Sequence, residues 1–546
     1  MALAWNLADL FELVADTAPE RLALAHDPDG PTRTWAEMDR RTDAVARHLR
    51  EAHGTGDKLA VYAHNRPEFV EALVAAMKAR LVPVNVNYRY RDEELAYLFD
   101  NSDATVVVYE AAFAGSVARL RPRLPRVREW IEIPERPGEP DAAPGNDFAL
   151  SFEALASGPG GRLDLERSPD DLVLLYTGGT TGMPKGVMWT QSALFRALGG
   201  GGNAALGEGP SESVLEQRAR IADASRAMRL LPACPLMHGT GQFTAYNALA
   251  GGGAIVTCES RSLDPERLWR TVEARRVKAM AIVGDAFAKP MLRVLDEAPG
   301  RFDLSSLSLI VSSGVMWSPP VKQGLLRHLP HAVLMDSFGS SEAVGFGTEL
   351  TTRDSTLHLG RFRLGPNCKV FTPEGKEVEP GSGEAGFIAR SGPIPLGYYK
   401  DEKKSAETFP VLQGRRWSIP GDWCTVNPDG TLNLHGRGSV CINTGGEKVY
   451  PEEVEEALKL HEEVADAVVV GVPDETWGEA VTALVALRPG AGATPEALRS
   501  FVKERLAAYK APKSVVLVER VFRSPSGTVD YTGAMAHARE ALGVAS

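Results

Sequence analysis

The sequence predicts an α/β protein in which a large, multi-layer N-terminal domain is followed by a small α+β domain. Three observations support this fold class. Short apolar runs alternate with helical patterns, the composition is that of a globular protein, and the pattern starts afresh after a turn at 427–430. The 546 residues are 44% hydrophobic and 24% charged, which excludes a disordered or collagen-like chain and a disulfide-stapled miniprotein.

The alternation of strands and helices is clearest in the first 312 residues. Residues 59–63 form an apolar run typical of a buried strand, and 68–80 follow with apolar side chains at helical spacing. Because strands that alternate with helices form βαβ units, we expect mainly parallel sheets. Further strands are predicted at 105–109, 172–176, 279–283 and 307–312.

A separate compact unit is expected after the turn at 427–430. We therefore predict domains over 1–437 and 438–546, while the Gly- and Pro-rich stretches 133–147 and 199–213 are read as surface loops. The elements predicted in the second domain are a helix from Pro451, strands over 466–472 and 480–487, a helix capped by Thr494 that runs to about 508, and a strand over 515–518.

Charge and cysteine usage narrow the classes of function. The 60 basic and 71 acidic residues give a net charge of −11, which disfavours a nucleic-acid partner but allows a local anion site. The N-terminus lacks a basic segment and no apolar run approaches the length of a membrane-spanning helix, so we predict a soluble cytoplasmic protein. Five widely spaced cysteines without a CxxC pair indicate reduced thiols rather than a zinc site or disulfides: Cys234, Cys258, Cys368, Cys424 and Cys441.

The strongest local signal is the segment Tyr-Thr-Gly-Gly-Thr-Thr-Gly-Met-Pro-Lys-Gly-Val at 176–187, which follows an apolar strand. Its glycines let the backbone approach an anion, its hydroxyls donate hydrogen bonds, and Lys185 supplies a positive charge. Pro184 precedes the lysine and Gly186 follows it, so the spacing is not that of a Walker A loop. We predict a polyphosphate-binding loop; a plain turn between strand and helix is the alternative.

This segment resembles the signature of the adenylate-forming ANL superfamily, which comprises acyl- and aryl-CoA synthetases, nonribosomal adenylation domains and luciferases. The usual Ser-Gly pair is replaced here by Gly178-Gly179. The resemblance implies that ATP phosphates bind to Thr177, Gly178, Gly179, Thr180, Thr181 and Lys185.

A second segment, Asp-Ser-Phe-Gly-Ser-Ser-Glu at 336–342, resembles the Tyr-Gly-x-Thr-Glu motif of the superfamily, with Phe338 for tyrosine and Ser341 for threonine. The resemblance implies that the aromatic ring stacks on adenine, the hydroxyl meets the α-phosphate and Glu342 binds Mg²⁺, for which a carboxylate is a suitable ligand. Read alone, the segment could equally begin a capped helix. The ATP-binding residues implied by this motif and by the adenine-edge segment 311–314 are Gly314, Asp336, Ser337, Phe338, Gly339, Ser340 and Ser341.

A third resemblance spans the predicted domain boundary. Asp422 matches the residue that binds both ribose hydroxyls, and Arg437 the residue that contacts ribose and phosphate. Ser439 falls at the hinge about which the small, mobile lid domain rotates, and Gly446 falls beside the pantetheine tunnel. The resemblance thus implies a large adenylation domain for ATP and acyl substrate, with Lys185, Glu342 and Arg437 as catalytic residues.

The segment Pro-Leu-Met-His-Gly at 235–239 resembles the lining of the acyl pocket, which implies that His238 contacts or gates the substrate. A packed histidine near a helix start is the alternative reading. Phe243, Trp317 and a helix over 241–250 either shape this pocket or belong to the ordinary core.

One motif departs from the superfamily. Its last motif, Pro-x-x-Gly-Lys, has Thr528 at the position of the lysine that contacts the carboxylate and the α-phosphate. A neutral hydroxyl cannot replace an ammonium group between two anions, so the substitution predicts weaker stabilisation of the adenylation transition state.

The motifs follow the order of the superfamily over nearly the whole chain and most resemble actinobacterial acyl-CoA synthetases for fatty or sterol side-chain carboxylates. This implies a ligase of lipid metabolism that uses ATP, Mg²⁺ and coenzyme A to convert a small-molecule carboxylate first to an acyl-adenylate and then to an acyl-CoA. Two alternatives stay open: an enzyme of this fold that activates nitrite with ATP to diazotise an aromatic amine without CoA, and a non-catalytic nucleotide-binding homologue. The acyl group and the oligomeric state are open as well, although members are often homodimers.

Overall fold

The structure is a computed structural model that describes most of the chain. The residues that it describes are 5–135, 145–177, 183–202, 208–258, 262–314, 317–355, 361–437, 442–444, 447–449, 451–474, 478–506, 508–523 and 529–544.

Sixteen α-helices occur in the described residues. They are α1 (Leu7–Thr17), α2 (Trp35–Ala52), α3 (Pro67–Lys78), α4 (Asp92–Asn101), α5 (Ala114–Leu120), α6 (Phe152–Ala156), α7 (Gln191–Ala197), α8 (Val214–Ala222), α9 (Gly239–Ala250), α10 (Pro265–Arg275), α11 (Gly284–Glu297), α12 (Pro319–His328), α13 (Glu402–Thr408), α14 (Pro451–Lys459), α15 (Pro495–Lys503) and α16 (Tyr531–Leu542).

Twenty-eight strands accompany them in the same part of the chain. They are β1 (Leu22–His26), β2 (Thr32–Thr34), β3 (Lys58–Tyr62), β4 (Val82–Asn85), β5 (Ala104–Glu110), β6 (Glu129–Ile133), β7 (Leu150–Ser151), β8 (Leu172–Thr177), β9 (Lys185–Thr190), β10 (Arg229–Pro232), β11 (Ala254–Thr257), β12 (Ala279–Ile282), β13 (Leu309–Ser313), β14 (Val333–Ser340), β15 (Ala343–Thr351), β16 (Arg361–Leu364), β17 (Cys368–Phe371), β18 (Ala385–Arg390), β19 (Gly397–Tyr398), β20 (Val411–Leu412), β21 (Arg415–Arg416), β22 (Asp422–Val426), β23 (Thr431–Arg437), β24 (Ile442–Thr444), β25 (Glu447–Val449), β26 (Val464–Asp474), β27 (Gly478–Leu487) and β28 (Ser514–Leu517).

Capping residues fix several helix starts. In α2 the Thr34 hydroxyl accepts from the backbone N–H of Glu37, and the Glu37 carboxylate accepts from the backbone N–H of Thr34, which together form a capping box. Pro67 opens α3, where its missing N–H is not needed. The predicted cap of α15 is confirmed, because the Thr494 hydroxyl accepts from Ala497 N at 3.2 Å.

The predicted elements occur with small shifts at their ends. The strands expected from apolar runs are β3, β5, β8, β12 and β13, and those expected near the C-terminus are β26, β27 and β28. The helix expected to run to about 508 ends at Lys503 instead, since the backbone turns over 504–506.

The chain forms two compact units. One comprises Met1–Leu359 with Ser391–Ser418, and the other comprises Gly360–Arg390 with Ile419–Ser546. This division by compactness does not test the functional domain boundary expected between 437 and 438, which stays a prediction.

Two sheets organise the first unit, and most of their neighbouring strands are parallel. In one sheet β14, β13, β12, β10, β11 and β1 are parallel, while β15 is antiparallel to β14 and β2 is antiparallel to β1. The other has the order β19, β9, β8, β4, β3, β5, β6, β7; it is parallel from β8 to β7 and antiparallel where β8, β9 and β19 meet. The expectation of mainly parallel sheets is confirmed for this unit.

The second sheet of the first unit separates two hydrophobic cores. Val106 and Val108 of β5 belong to one core, whereas Val107 and Tyr109 belong to the other. Side chains that point alternately to opposite faces produce this pattern, because each strand is covered on both sides.

The second unit also contains two sheets. In one, β17, β18, β22, β23 and β16 are neighbours in that order and all antiparallel. In the other, β25, β24, β27 and β26 are antiparallel neighbours and β28 is parallel to β27. Helices α14 and α16 both pack against β26.

Neither a membrane span nor a disulfide is found in the described ranges. None of their helices is long and apolar enough to cross a membrane. The described cysteines are free and buried, and Cys441 lies outside the described residues.

Candidate active site

The predicted phosphate loop joins two adjacent strands of the first unit. β8 and β9 are antiparallel, and their register places Thr177 opposite Lys185 at the mouth of the loop. The hairpin therefore brings these two predicted ATP-binding residues together. The other predicted loop residues lie outside the described residues: Gly178, Gly179, Thr180 and Thr181.

Close packing at the base of this loop requires a glycine. A Cβ on Gly186 would lie 2.7 Å from the ring of Tyr176, its partner in the register. The Tyr176 hydroxyl donates to Asn101 Oδ1 at 2.7 Å, and burial raises the pKa of the tyrosine well above its usual range. The ring is thus fixed under the loop, and no larger residue fits at 186.

A buried asparagine that the sequence analysis missed supports the same loop. Asn85, at the end of β4, accepts from Tyr176 N at 2.6 Å and donates to Tyr176 O at 2.9 Å and to Met237 O at 2.5 Å. One side chain therefore ties the base of the phosphate loop to the 235–239 segment. A polar residue at the end of an apolar strand was the only signal for it in the sequence.

Lys185 is held by an acidic partner. Its Nζ lies 2.5 Å from Asp401 Oδ2, and this contact lowers the pKa of the Asp401 carboxyl. The other carboxylate oxygen of Asp401 caps α13 by accepting from Lys404 N at 3.0 Å. Lys185 is thereby oriented at the loop mouth with its positive charge balanced.

Glu342 lies at the turn of the β14–β15 hairpin, in which Ser340 pairs with Ala343. The alternative that this segment begins a capped helix is therefore wrong. Glu342 is buried, its Oε1 accepts from the Tyr398 hydroxyl at 2.7 Å, and its carbonyl accepts from Ser418 Oγ at 2.8 Å. The carboxylate is fixed in one orientation before any ligand binds.

Tyr398 links the two predicted catalytic residues of this unit. While its hydroxyl binds Glu342, its ring centre lies 5.7 Å from Lys185 Nζ. The tyrosine reaches this position because β19 pairs with β9, with Tyr398 opposite Val187. We call Lys185, Asp401, Tyr398 and Glu342 the Lys185–Glu342 cluster.

Ser341 connects this cluster to helix α9. Its carbonyl accepts from Trp189 Nε1 at 2.9 Å, and a Cβ on Gly239 would lie 3.5 Å from its hydroxyl oxygen. The helix that begins at Gly239 therefore starts beside the residue predicted to meet the α-phosphate.

His238 occupies the N-cap position of α9 and precedes Gly239, where an added Cβ would lie 3.5 Å from the Ser341 hydroxyl oxygen. Burial, together with the charge of Arg89, lowers the pKa of His238 to about 4, so the ring is neutral at pH 7. Its Nε2 is buried and has no hydrogen-bond partner among the described residues. The position suits contact with a substrate, although the role of the residue stays a prediction.

The residues predicted to surround adenine lie at two neighbouring strand ends. Ser313 of β13 is opposite Ser337 of β14, so Gly314, which follows β13 with φ +89°, comes next to the segment that holds Phe338. The Phe338 ring is buried and packs at 5.3 Å against Phe346.

The Asp336 side chain is buried and paired with a lysine. Its carboxylate pairs with Lys322, which is 1% exposed and also lies 2.8 Å from Glu349 Oε2. Asp336 and Glu349 are directly opposite in the hairpin register. Burial raises the pKa of Asp336 to about 6 even though Lys322 opposes this shift. A buried cation thus neutralises two facing acids, one of which, Asp336, is itself predicted to bind ATP.

The second unit carries the remaining predicted residues. Asp422 of β22 and Arg437 of β23 are directly opposite in the register. The structure describes the backbone of Arg437 but not its side chain. Gly436 has φ +103°, a backbone conformation that strains residues other than glycine. Ser439, Gly446 and Thr528 lie outside the described residues.

Comparison with known families gives two matches. The family described as AMP-binding enzyme matches residues 11–399, and the family described as AMP-binding enzyme C-terminal domain matches residues 453–528.

Individual proteins resemble the chain over nearly its whole length. A 3-oxocholest-4-en-26-oate–CoA ligase of Rhodococcus rhodochrous is 41% identical over 540 residues, which cover 97% of this chain and 95% of that protein. A medium/long-chain-fatty-acid–CoA/3-oxocholest-4-en-26-oate–CoA ligase of Mycobacterium tuberculosis is 42% identical over 535 residues, covering 97% and 96%. The crystal structure of an anthranilate CoA ligase with anthranoyl-AMP has the same fold, with a TM-score of 0.83, 21% identity, and coverage of 100% of this chain and 99% of that one.

Proposed function

The chain belongs to the AMP-binding enzyme family of the adenylate-forming superfamily, and on this premise we propose that it is a CoA ligase for carboxylates with a long aliphatic or sterol tail. The family consists of AMP-forming acid–thiol ligases, so ATP and CoA are its co-substrates. The proposed tail follows from the relatives at 41% and 42% identity, which are named for sterol and fatty acids.

The Lys185–Glu342 cluster carries the proposal for the first step. In this step a carboxylate oxygen attacks the α-phosphorus of ATP, an O–P bond forms, and pyrophosphate leaves with the bonding electron pair. The carboxylate is a weak nucleophile, so positioning and charge neutralisation supply most of the acceleration. The cluster offers a cation at the mouth of the phosphate loop, and Ser341, which precedes Glu342, offers a hydroxyl beside the start of α9.

Lys185 would exchange its partner when the polyphosphate binds. In the described state its charge is balanced by Asp401, at 2.5 Å. A polyphosphate that approaches Thr177 and Lys185 carries more negative charge than the Asp401 carboxylate, so it attracts the ammonium group more strongly. Until the polyphosphate binds, Asp401 keeps the Lys185 side chain at the mouth of the loop. Asp401 is therefore proposed as a positioning residue.

Glu342 fits a Mg²⁺ ion shared with ATP phosphates. Mg²⁺ is usually bound by one or two carboxylates together with substrate phosphates, and Glu342 has one oxygen oriented by Tyr398. When bound, the ion would neutralise phosphate charge.

The second step transfers the acyl group to CoA. The thiolate attacks the acyl carbon, a C–S bond forms, and AMP leaves with the electrons of the C–O bond. We propose that the domain 438–546 rotates about Ser439 for this step and that Gly446 lies beside the pantetheine. Thr528 in place of lysine is proposed to make the first step the slower one.

The test is product analysis by mass spectrometry after incubation with ATP, MgCl₂, CoA and a panel of medium-chain, long-chain and sterol side-chain acids. We expect AMP and acyl-CoA. A parallel reaction contains nitrite and arylamines in place of the carboxylic acid and CoA. It tests the alternative that the enzyme activates nitrite, for which the lysine that contacts an organic carboxylate would not be needed at position 528. AMP released only with nitrite would reject the proposal, and ATP binding without turnover would indicate a non-catalytic homologue.

Oligomeric state and location are also proposals. We propose a homodimer in the cytoplasm, as is common in the superfamily. Light scattering coupled to size-exclusion chromatography measures the first, and fractionation of the native host measures the second.

A further inference from the structure

Helix α9 carries a row of polar side chains on its buried side. His238, Gln242 and Tyr246 are spaced four residues apart, which places them on one helix face at intervals of about 6 Å along the axis. We call these three residues the α9 row. Gln242 and Tyr246 are each only 2% exposed, so the row points into the protein.

Each member of the α9 row has a buried polar atom without a partner among the described residues. The atoms are His238 Nε2, Gln242 Oε1 and the Tyr246 hydroxyl. Burial raises the pKa of Tyr246, so its hydroxyl remains a neutral donor. Buried polar atoms in native proteins nearly always have partners, because an unpaired one forfeits its hydration. Three on one helix face therefore indicate a partner that the described part of the chain does not supply.

The other side of the helix behaves differently. The Thr244 hydroxyl donates to Thr240 O at 2.7 Å within the helix, and Asn247 is exposed. The polar groups of that side are thus satisfied by the helix or by water. The unpaired atoms are confined to the side where an ordinary core would have apolar residues.

The α9 row leads away from the Lys185–Glu342 cluster. Gly239, at the start of the helix, adjoins the Ser341 hydroxyl. One turn further, Phe243 packs edge-on against Trp189 with ring centres 6.2 Å apart, and Trp189 in turn donates to the Ser341 carbonyl. A carboxylate held beside Ser341 would therefore send its tail along α9, past Gln242 first and Tyr246 second.

We propose that Gln242 and Tyr246 form a subsite that recognises an oxygen substituent, a hydroxyl or keto group, on the tail of the carboxylate substrate. The inference rests on the proposed function, since it assumes that the carboxylate is activated beside Ser341. A hydroxyl can donate to Gln242 Oε1 and accept from the Tyr246 hydroxyl, and a keto oxygen can accept from Tyr246. An unsubstituted chain leaves both groups unpaired, and sites built to bind a hydroxyl discriminate against analogues that lack it.

The test compares hexadecanoic acid with hexadecanoic acids that carry a hydroxyl or keto group at successive carbons of the distal half. Acyl-CoA formation gives kcat/KM, and titration calorimetry with a non-hydrolysable ATP analogue gives affinity without turnover. We expect the wild-type enzyme to prefer one substituted acid about tenfold or more over the plain acid. Tyr246→Phe and Gln242→Leu should each bring the ratio of kcat/KM for the substituted acid to kcat/KM for the plain acid close to one.

Thr244→Val is the matched control, because it removes a hydroxyl of the same helix that is already paired. Any effect of Thr244→Val on kcat/KM should be the same for the plain and the substituted acid. The inference is overturned if the wild-type protein shows no preference in either measurement, or if Tyr246→Phe affects plain and substituted acids alike. Tyr246→Phe removes a single oxygen and keeps the test available if Gln242→Leu does not fold. If no acid yields acyl-CoA, the proposed function is rejected. Calorimetry then still measures whether the protein binds the substituted acid more tightly than the plain acid.

Discussion

The Lys185–Glu342 cluster and helix α9, which carries the α9 row, both adjoin Ser341. The cluster and the row differ in how their polar atoms are satisfied. In the cluster each side chain has a partner: Lys185 has Asp401, and Glu342 has Tyr398. In the α9 row, each of the three residues keeps a buried polar atom without a partner among the described residues. The proposed reaction centre is thus organised before ligands bind, whereas the proposed tail subsite is left for the substrate to complete.

The largest effect is expected beneath the hairpin that holds Glu342. Lys322→Met removes the buried cation between Asp336 and Glu349, and loss of one partner from a buried ion network costs about 3–5 kcal/mol. Urea unfolding should show this loss. Lys289→Met is the control, since Lys289 is more exposed and pairs with Asp285 near the surface. Equal losses in both variants would mean that the buried network does not support the hairpin.

Lys185→Met should disable the cluster itself. Removing a charged group that stabilises developing charge lowers the rate of adenylation about 10²–10³-fold. Exchange of labelled pyrophosphate into ATP, with a saturating fatty acid, measures this step alone. Lys404→Met serves as the control because Lys404 pairs with Glu407 on the surface of α13. A variant at 185 that retains full exchange would remove Lys185 from the mechanism.

Thr528→Lys restores the charge found in the superfamily motif. If the missing ammonium limits the first step, pyrophosphate exchange with a fatty acid should rise about tenfold or more. Thr528→Ala, which adds no charge, should leave the exchange low. No gain with lysine would show that the substitution is not the limiting defect for carboxylates.

Tyr398→Phe tests whether prior orientation of Glu342 matters. Loss of a hydrogen bond to a charged group corresponds to about 1.5–3 kcal/mol, so kcat should fall about tenfold or more and the requirement for MgCl₂ should increase. Tyr399→Phe is the neighbouring control, because that hydroxyl donates to Asp103 instead. Identical kinetics for the two variants would contradict the assigned role of Tyr398.

The last prediction concerns pH. Burial raises the pKa of Asp336 to about 6, above its value in the unfolded chain, so the folded state binds this proton more tightly. The stabilising contribution is present below about pH 4 and is lost as the pH rises through 6. The unfolding free energy of the wild type should therefore fall relative to that of Asp336→Asn as the pH is raised from 4 to 7. Parallel curves would refute the shift.

Most of the fold and part of the site could be predicted because their signals are local. Apolar runs such as 172–176 identify strands, and the phosphate-loop and Glu342 motifs are contiguous in sequence. The predicted superfamily, fold class and acyl-CoA ligase activity are confirmed by the family match and by the relatives.

The partners of the motif residues could not be predicted, since they are distant in sequence. Asp401 lies 216 residues from Lys185, and Tyr398 lies 56 residues from Glu342. Neither residue belongs to a motif that the sequence analysis used, and only the pairing of β19 with β9 brings them to the site. The roles of the individual site residues stay predictions until the variants are measured.

Asn85 gives the predicted phosphate loop and the 235–239 segment a common anchor. Because one buried carboxamide binds the backbone of both Tyr176 and Met237, a shift of either segment strains the same three hydrogen bonds. Nucleotide and carboxylate should consequently bind with synergy, and linkage requires this synergy to be equal in both directions. Such an enzyme would bind its carboxylic acid more tightly when ATP is already bound.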